Sequence, residues 1–367
     1  MKRSKWLLIG AAFAGTAAHG YEIRVHKIFQ LKRDVHESMT AVAEDCLRRA
    51  AGDQPSRCWR SSKELAARSK SNRGERYSDI QKASRWSDDP TRQDRRLSFL
   101  KIGYNIVKGC PKWVDASRRI EDAGLLCSSH FGRLQFLHAQ AVDEDKSAAD
   151  TYRRIMDWAD FAFRVARDTR LDDGRRLLDM NYCSAVDLEP ESLKQMMRCE
   201  TGGYSEWTVS TFFALTCGNP LSSSTCPEPG DPDKGRRMAR LAARGSLLHL
   251  VQDSFSQSHA SRRIGSPLPH SGEPHGFEPR VVCSYPTAYF NYKAQERDAP
   301  GGHKAADAPP RRDDSCDDDP RTAAPADPQT DDVVTASAMV LWHLEHGTRE
   351  SFRQYLISRV FGPVPAA

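Results

Sequence analysis

The sequence lacks several features that would place it in a familiar class of protein. No Cys-x-x-Cys pair occurs among its ten cysteines, so a zinc site built on cysteine is not expected. Beyond the first 20 residues, no apolar run approaches the length that spans a membrane. There is also no internal repeat and no alternating apolar and polar run of any length. These absences argue against a repeat fold and against a protein built mainly of β-strands.

A strong excess of charge is missing as well. The chain of 367 residues has 54 Lys and Arg against 49 Asp and Glu. Residues 2–5 include three basic side chains, and residues 6–18 are apolar or small, which is typical of a secretory signal. We expect cleavage before Tyr21, with a cut after Ala18 as the alternative. The mature chain, residues 21–367, then has a net charge of +2, too small to indicate a nucleic-acid partner by itself.

Export predicts a secreted or periplasmic protein, and all ten cysteines lie in the mature part. An even number of cysteines in an exported chain indicates several disulfides. Cys46 with Cys58, and Cys217 with Cys226, are candidates for local bridges. The sequence does not determine the pairing of the others.

Apolar residues recur at helical spacing in several parts of the chain, and the sequence predicts an all-α fold. The stretches are 36–47, 146–170, 235–259 and 331–360, with weaker runs in 191–216. Residues 262–332 differ, because Pro, Gly, Asp and Arg dominate there. We expect a single multi-helix domain over 21–367, with a long irregular insertion at 262–332 that contains a short ordered piece near 286–295.

The run from Leu247 to His259 contains the residues that most strongly suggest a function. His249 and Asp253 are four residues apart, so on a helix they lie about 40° apart on one face. His259 falls on the flank of that face, close to where the helix is expected to end. A lone His on an apolar helix is usually a hydrogen-bonded core residue. Three good metal ligands in so short a run indicate a metal site instead.

Other residues could complete such a site. Asp88 follows Trp86 by two positions, His130 precedes Phe131, and His303 and Asp307 are again four apart. Each has a plain structural alternative: Asp88 as a helix cap, His130 as a core residue, and the His303 spacing as chance. We expect His138 to lie in the core or behind the ligands.

Taken together, these motifs resemble the superfamily of zinc-dependent phospholipases C and single-strand-specific zinc nucleases. The resemblance rests on four features: His-x3-Asp-x5-His at 249–259, Trp-x-Asp at 86–88, His130, and a second His-x3-Asp at 303–307. The resemblance implies a secreted all-α enzyme that binds three zinc ions in one cleft. It also implies that the mature N-terminal residue, here Tyr21, binds zinc through its backbone.

The resemblance leaves two assignments open. The first ligand of the superfamily opens a helix, and His36, with apolar residues three, six and seven positions later, matches it better than His26. The gap between His259 and His303 is longer than is usual in the superfamily. Fallback ligands for that region are His270, Glu273, His275 and Glu278.

Carried over residue by residue, the resemblance implies three ligand groups. They are Asp88, His130, His249 and Asp253; then Tyr21, His36 and Asp253, which bridges; and finally His259, His303 and Asp307. The implied activity is hydrolysis of a phosphoric diester by metal-activated water, with Asp88 orienting or deprotonating that water.

Two questions about function stay open. Phospholipid is slightly favoured over single-stranded nucleic acid as the substrate, and a lipid substrate would bring the protein into peripheral contact with a membrane. The other class is a non-catalytic binding or structural relative with a depleted metal site. No stable protein partner is implied, and the oligomeric state is open.

Overall fold

A computed structural model describes residues 35–56, 58, 77–88, 125–143, 145–197, 199, 207–213, 232–256, 258–262, 284–291 and 330–365. Its helices are α1 Val35–Ala50, α2 Asp79–Ala83, α3 Leu125–Phe131, α4 Ala148–Ala166, α5 Tyr182–Val186, α6 Glu191–Met197, α7 Val209–Phe213, α8 Pro232–Asp253, α9 Val333–His346 and α10 Arg349–Tyr355. Two 3₁₀ helices, Gln135–His138 and Leu177–Asp179, and a π-helix, Leu356–Phe361, complete the helical structure. Within the described ranges the only strands are β1 Ala260–Ser261 and β2 Ala288–Tyr289, so the chain is mostly helical, as expected.

Helix α8 is the central element. It packs against α2, α4, α7 and α9, while α1 packs on α9 and α2. Pro232 stands at its first position, where the missing N–H of proline costs no hydrogen bond. The sequence pattern suggested a helix that continues to 259, but α8 ends at Asp253. His259 therefore lies in the turn that follows the helix rather than on the helix itself.

An aromatic cluster fixes the turn at 84–88 that follows α2. The indole of Trp86 packs parallel to Trp158 of α4, with ring centroids 6.4 Å apart, and to Phe213 of α7 at 5.0 Å. Its Nε1 donates a hydrogen bond of 2.8 Å to the carbonyl oxygen of Phe213. Because these ring contacts and the hydrogen bond hold Trp86 against the aromatic core, they also hold the turn that contains Asp88, two residues later.

Gly245 allows this turn to lie directly on α8. A Cβ atom added at Gly245 would lie 2.0 Å from the carbonyl oxygen of Ala83, far inside van der Waals contact. No other residue type fits unless α2 moves. The absent side chain brings the backbone of Ser84 within reach of His249, one turn further along α8.

The segment after α8 is held by a small sheet and by one arginine. Ala260 of β1 pairs with Tyr289 of β2 in an antiparallel register. The buried guanidinium of Arg262 donates to the carbonyl oxygens of Ser254 at 2.8 Å, Ser284 at 3.0 Å and Val360 at 3.2 Å. One side chain thus joins the end of α8, the β2 segment and the C-terminal π-helix.

Two cysteine pairs lie at disulfide distance. Cys46 and Cys58, expected from their spacing, have Cα atoms 5.6 Å apart. Cys183 and Cys199, a pairing that the sequence left open, have Cα atoms 5.3 Å apart. The expected bridge between Cys217 and Cys226 lies outside the described residues.

The other predicted stretches can be located as follows. The helix expected over 146–170 is α4, which begins after a Ser147 capping box, and the weaker runs at 191–216 contain α6 and α7. The helix expected over 331–360 divides at Gly347 into α9 and α10, followed by the π-helix. Most of 262–332 lies outside the described residues, but 284–291 is described and contains β2. None of the described helices is long and apolar enough to cross a membrane.

Candidate metal centre

Buried His and Asp side chains from α1, α3, α8 and the turns between helices meet at one end of α8. None of these side chains belongs to a residue that is more than 5% exposed. They are His36, Asp88, His130, His138, His249, Asp253 and His259. Three predicted ligands, Tyr21, His303 and Asp307, lie outside the described residues. So do His26, His270, Glu273, His275 and Glu278.

The tightest group centres on Asp253. Its Oδ2 lies 2.8 Å from His249 Nε2 and 3.0 Å from His138 Nδ1, and those two nitrogens are 2.9 Å apart. Asp88 Oδ1 lies 3.5 Å from His249 Nε2 and 3.8 Å from His138 Nδ1. Around a tetrahedral zinc ion with bonds of about 2.0–2.1 Å, neighbouring ligand atoms are about 3.3 Å apart. The observed separations lie on both sides of that value, as expected for ligand atoms around a single metal ion.

A second group uses the opposite oxygens of the same two carboxylates. Asp253 Oδ1 lies 3.4 Å from His36 Nε2, and Asp88 Oδ2 lies 3.8 Å from the same nitrogen. The rings of His36 and His249 stack with their centroids 4.0 Å apart. Each carboxylate therefore faces both groups, an arrangement that suits two neighbouring cations.

The histidine rings are oriented from behind by hydrogen bonds. His249 Nδ1 donates to the carbonyl oxygen of Ser84 at 2.8 Å, and His259 Nδ1 donates to the carbonyl oxygen of His138 at 2.6 Å. A carbonyl oxygen can only accept, so each ring has a proton on Nδ1, and in the neutral form of the ring the lone pair is on Nε2. Metal-binding histidines are held in the same way, with the second ring nitrogen donating to an oxygen.

Burial disfavours charge throughout the cluster. Burial raises the pKa of Asp88 well above its usual range, the electrostatic interaction with His249 opposes this rise, and the interaction with Asp253 adds to it. Burial likewise raises the pKa of Asp253. The pKa of His138 is lowered well below its usual value by burial and then by His130. Bound cations would reverse this balance, because they favour ionised carboxylates and neutral imidazoles.

Several polar atoms of the cluster have no hydrogen-bond partner in the described part of the chain. They are both oxygens of Asp88, Oδ1 of Asp253 and Nε2 of His138. An unpartnered buried polar atom costs about 1–3 kcal/mol, and more if it is charged. The carboxylate oxygens among these atoms face the histidine nitrogens of the two groups, and such a set of buried nitrogen and oxygen donors could hold a metal ion.

His138 is the member of the cluster that the sequence interpretation did not place among the candidate ligands. We expected it in the core or behind the ligands, yet its Nδ1 lies between Asp253 and His249. The signal available in the sequence was a second His eight residues after His130 in the same apolar run. His130 lies further out, with its Nε2 4.0 Å from Asp88 Oδ1 and its Nδ1 3.0 Å from Ser129 Oγ.

The expected ligand groups and the observed neighbours therefore agree only in part. The structure brings together the six predicted ligands that lie in the described residues, and His138, which was not predicted as a ligand, lies beside them. It places His259 beside Asp253, with its Nδ1 3.4 Å from Asp253 Oδ2. Comparisons with known proteins add no family assignment: no protein-family model, no curated protein and no solved structure matches this chain.

Proposed function

We propose that this protein is an exported, zinc-dependent hydrolase of phosphoric diesters. The observation that supports this most directly is the convergence of Asp88, His138, His249 and Asp253 at the separations of metal ligands. The His-x3-Asp-x5-His motif supplies two of these residues and resembles that of the zinc phospholipases C and nucleases. Export is supported by the basic and apolar start of the chain and by the two cysteine pairs.

The donor set suggests how the work is divided among the residues. Zinc in such a set of nitrogen and oxygen donors lowers the pKa of a bound water to about 7 and neutralises phosphoryl oxygens. In the proposal His138 and His249 would hold one ion and His36 would hold the other, and the carboxylates of Asp88 and Asp253 would contribute to both ions. Asp88 then acts first as a ligand, and orienting the water is its second task. His259, with His303 and Asp307, is assigned to the third ion.

Charge favours an anionic substrate. The two carboxylates of the described centre carry two negative charges, so two divalent ions leave the centre positive and attract a phosphoryl group. Phospholipid is preferred to nucleic acid on one observation. Trp86 and Phe255, next in sequence to the ligand segments, are both buried and offer no face on which a base could stack.

A second function has one observation in its favour. Every side chain in the described cluster is almost completely buried. Structural zinc sites are closed by protein ligands, whereas catalytic sites keep an open position for water or substrate. On this alternative the metal stabilises the fold, and the protein binds or supports rather than catalyses.

The test is metal content and hydrolysis measured on the same full-length preparation. Metal analysis should give about three zinc ions per chain, and phosphatidylcholine should be cleaved unless a chelator is present. Single-stranded DNA and RNA are assayed in parallel. His249→Ala should abolish both binding of one ion and cleavage, whereas His346→Ala, which removes an exposed histidine of α9, should change neither.

The outcomes separate the candidates. Cleavage of nucleic acid without cleavage of lipid would reverse the substrate preference within the class. Bound zinc with no hydrolysis, together with a large loss of thermal stability in chelator, would establish the structural alternative. One zinc ion or none would remove the trinuclear assignment.

A further inference from the structure

A glutamine on α8 contacts the cluster from behind. Gln252 is fully buried and stands next to Asp253. Its Oε1 lies 2.7 Å from Nδ1 of His36, which comes from α1. Its Nε2 donates to Thr40 Oγ1 at 3.1 Å and to Ser337 Oγ at 3.3 Å. The amide group thus links α1, α8 and α9 at the point where His36 enters the cluster.

The hydrogen-bond network fixes which way round the amide lies. Ser337 Oγ donates its only proton to the carbonyl oxygen of Val333 at 2.7 Å, since a carbonyl cannot donate. In its contact with Gln252 the serine must therefore accept, so the NH₂ group of the amide faces Ser337. The oxygen of the amide then faces His36, independently of any assumption about ring protonation.

The orientation of Gln252 in turn fixes the tautomer of His36. Because Oε1 can only accept, the proton of His36 must be on Nδ1. The lone pair of His36 is then on Nε2, and that nitrogen faces Asp253 Oδ1 at 3.4 Å and Asp88 Oδ2 at 3.8 Å. A nitrogen lone pair that faces two carboxylate oxygens is repelled by them, and either a proton on a carboxyl group or a metal ion between these atoms removes the repulsion.

We propose that Gln252 is a positioning residue, which holds His36 in the Nδ1–H tautomer and so prepares Nε2 to bind one metal ion. This inference rests on the proposed function only in taking that ion to be the resident metal. Removing such an outer hydrogen bond typically costs about 10- to 100-fold in metal affinity. A glutamine that merely joined three helices would affect stability and leave both the tautomer and the affinity unchanged.

Two substitutions separate these roles. Gln252→Met keeps the volume and the flexible shape of the side chain but has no acceptor for His36. Gln252→Glu keeps the acceptor, and Thr40 can turn its hydroxyl round to donate to the new carboxylate. Ser246→Ala is the matched control on α8, because it removes a buried hydrogen bond of 3.1 Å that Ser246 Oγ accepts from Trp158 of α4 and leaves every hydrogen bond of Gln252 in place.

The experiment has two readouts. The first is the tautomer of His36 in metal-free protein, from long-range ¹H–¹⁵N spectra of histidine-labelled protein, with the signals assigned by their loss in His36→Asn. The second is zinc affinity, from titration against a competing chelator. We expect Nδ1–H in the wild type and in Gln252→Glu. In Gln252→Met we expect a shift toward Nε2–H and a loss of about 10- to 100-fold in affinity for one ion. Ser246→Ala should match the wild type in both.

The inference is overturned if metal-free wild type already contains Nε2–H at His36. It is also overturned if Gln252→Met keeps the wild-type affinity, or if Gln252→Glu and Ser246→Ala lose as much as Gln252→Met. A wild type that binds no zinc refutes the proposed function instead, and the tautomer still decides the role of Gln252. Should Gln252→Met fail to fold, the tautomer of His36 in the wild type and the zinc affinity of Gln252→Glu still decide whether Gln252 positions His36.

Discussion

Replacing Gly245 by alanine would put a methyl group where the carbonyl oxygen of Ala83 now lies. The added Cβ would be 2.0 Å from that oxygen and 2.2 Å from its carbon. Nonbonded heavy atoms rest at about 3.5–4.0 Å, so the two backbones must separate by roughly 1 Å or more. Because the atoms that must move belong to the backbone, no change of rotamer can relieve the clash.

The expected effect on the metal centre follows from that displacement. The hydrogen bond from His249 Nδ1 to the Ser84 carbonyl is 2.8 Å long, and an added ångström would break it. Asp88 lies four residues further along the same turn, so the displacement would also strain the turn between Ser84 and the anchored Trp86. Metal sites tolerate ligand displacements of only about 0.2 Å. We therefore expect zinc affinity at this position to fall by at least about 100-fold.

The free energy of unfolding of Gly245→Ala should fall only modestly. Overpacking of this kind costs about 1–3 kcal/mol, and replacing glycine within a helix by alanine returns about 1 kcal/mol. The net loss of up to about 2 kcal/mol is measured by urea unfolding of the metal-free protein, beside a zinc titration of the folded protein.

Gly52→Ala is the control for that loss of stability. It strains a backbone with φ of +100° but meets no atom within 4 Å, so it should cost stability without changing zinc affinity. Unchanged zinc affinity in Gly245→Ala would refute the argument that this glycine sets the distance between α2 and α8.

Two further predictions concern parts of the molecule away from the cluster. Burial lowers the pKa of His343 from 6.5 to about 4, so its neutral form is favoured in the folded state. The contribution of this shift to the free energy of unfolding is complete above pH 6.5 and is lost as the pH drops toward 4. In total it amounts to about 3 kcal/mol. The fall in unfolding free energy between pH 7 and pH 4.5 should thus be smaller by about 2–3 kcal/mol in His343→Gln, and an equal fall in both proteins would contradict this. Breaking the bridge between Cys183 and Cys199, 16 residues apart, with the double substitution to serine should lower the unfolding free energy by about 3 kcal/mol, judged by urea unfolding without reductant; full alkylation of these two thiols in native, unreduced protein would show that no bridge forms.

The sequence predicted the helical class because apolar spacing over a long helix depends only on local geometry. That reasoning extended to α4, whose start is marked by Ser147 and the capping box with Asp150. It failed at the end of α8, where the apolar pattern continues past Asp253 but the chain turns. Phe255 is still buried there, so burial alone could not distinguish the helix from the turn.

For the centre, spacing identified His249 and Asp253 as neighbours because four residues make one turn of helix. Asp88 and His36 were identified through the resemblance. The structure gives a physical reason for the position of Asp88, because Trp86 anchors its turn to the aromatic core. His138 was missed because its position depends on a 3₁₀ helix that turns its ring inward. The partner of Cys183 was likewise hidden, since loop closure is a property of the folded chain.

The guanidinium of Arg262 ties the fate of the His259 turn to the far end of the chain. Its hydrogen bonds reach Ser254 before that turn and Val360 near the C-terminus, so the opening of either segment takes a hydrogen bond away from a buried charge. The last helical turn is thus linked, through this one side chain, to the turn that contains His259. Fraying at the C-terminus, ordinarily a harmless local event, would here be coupled energetically to the position of His259. The C-terminal π-helix and the turn that contains His259 should therefore exchange their amide protons with solvent as one cooperative unit.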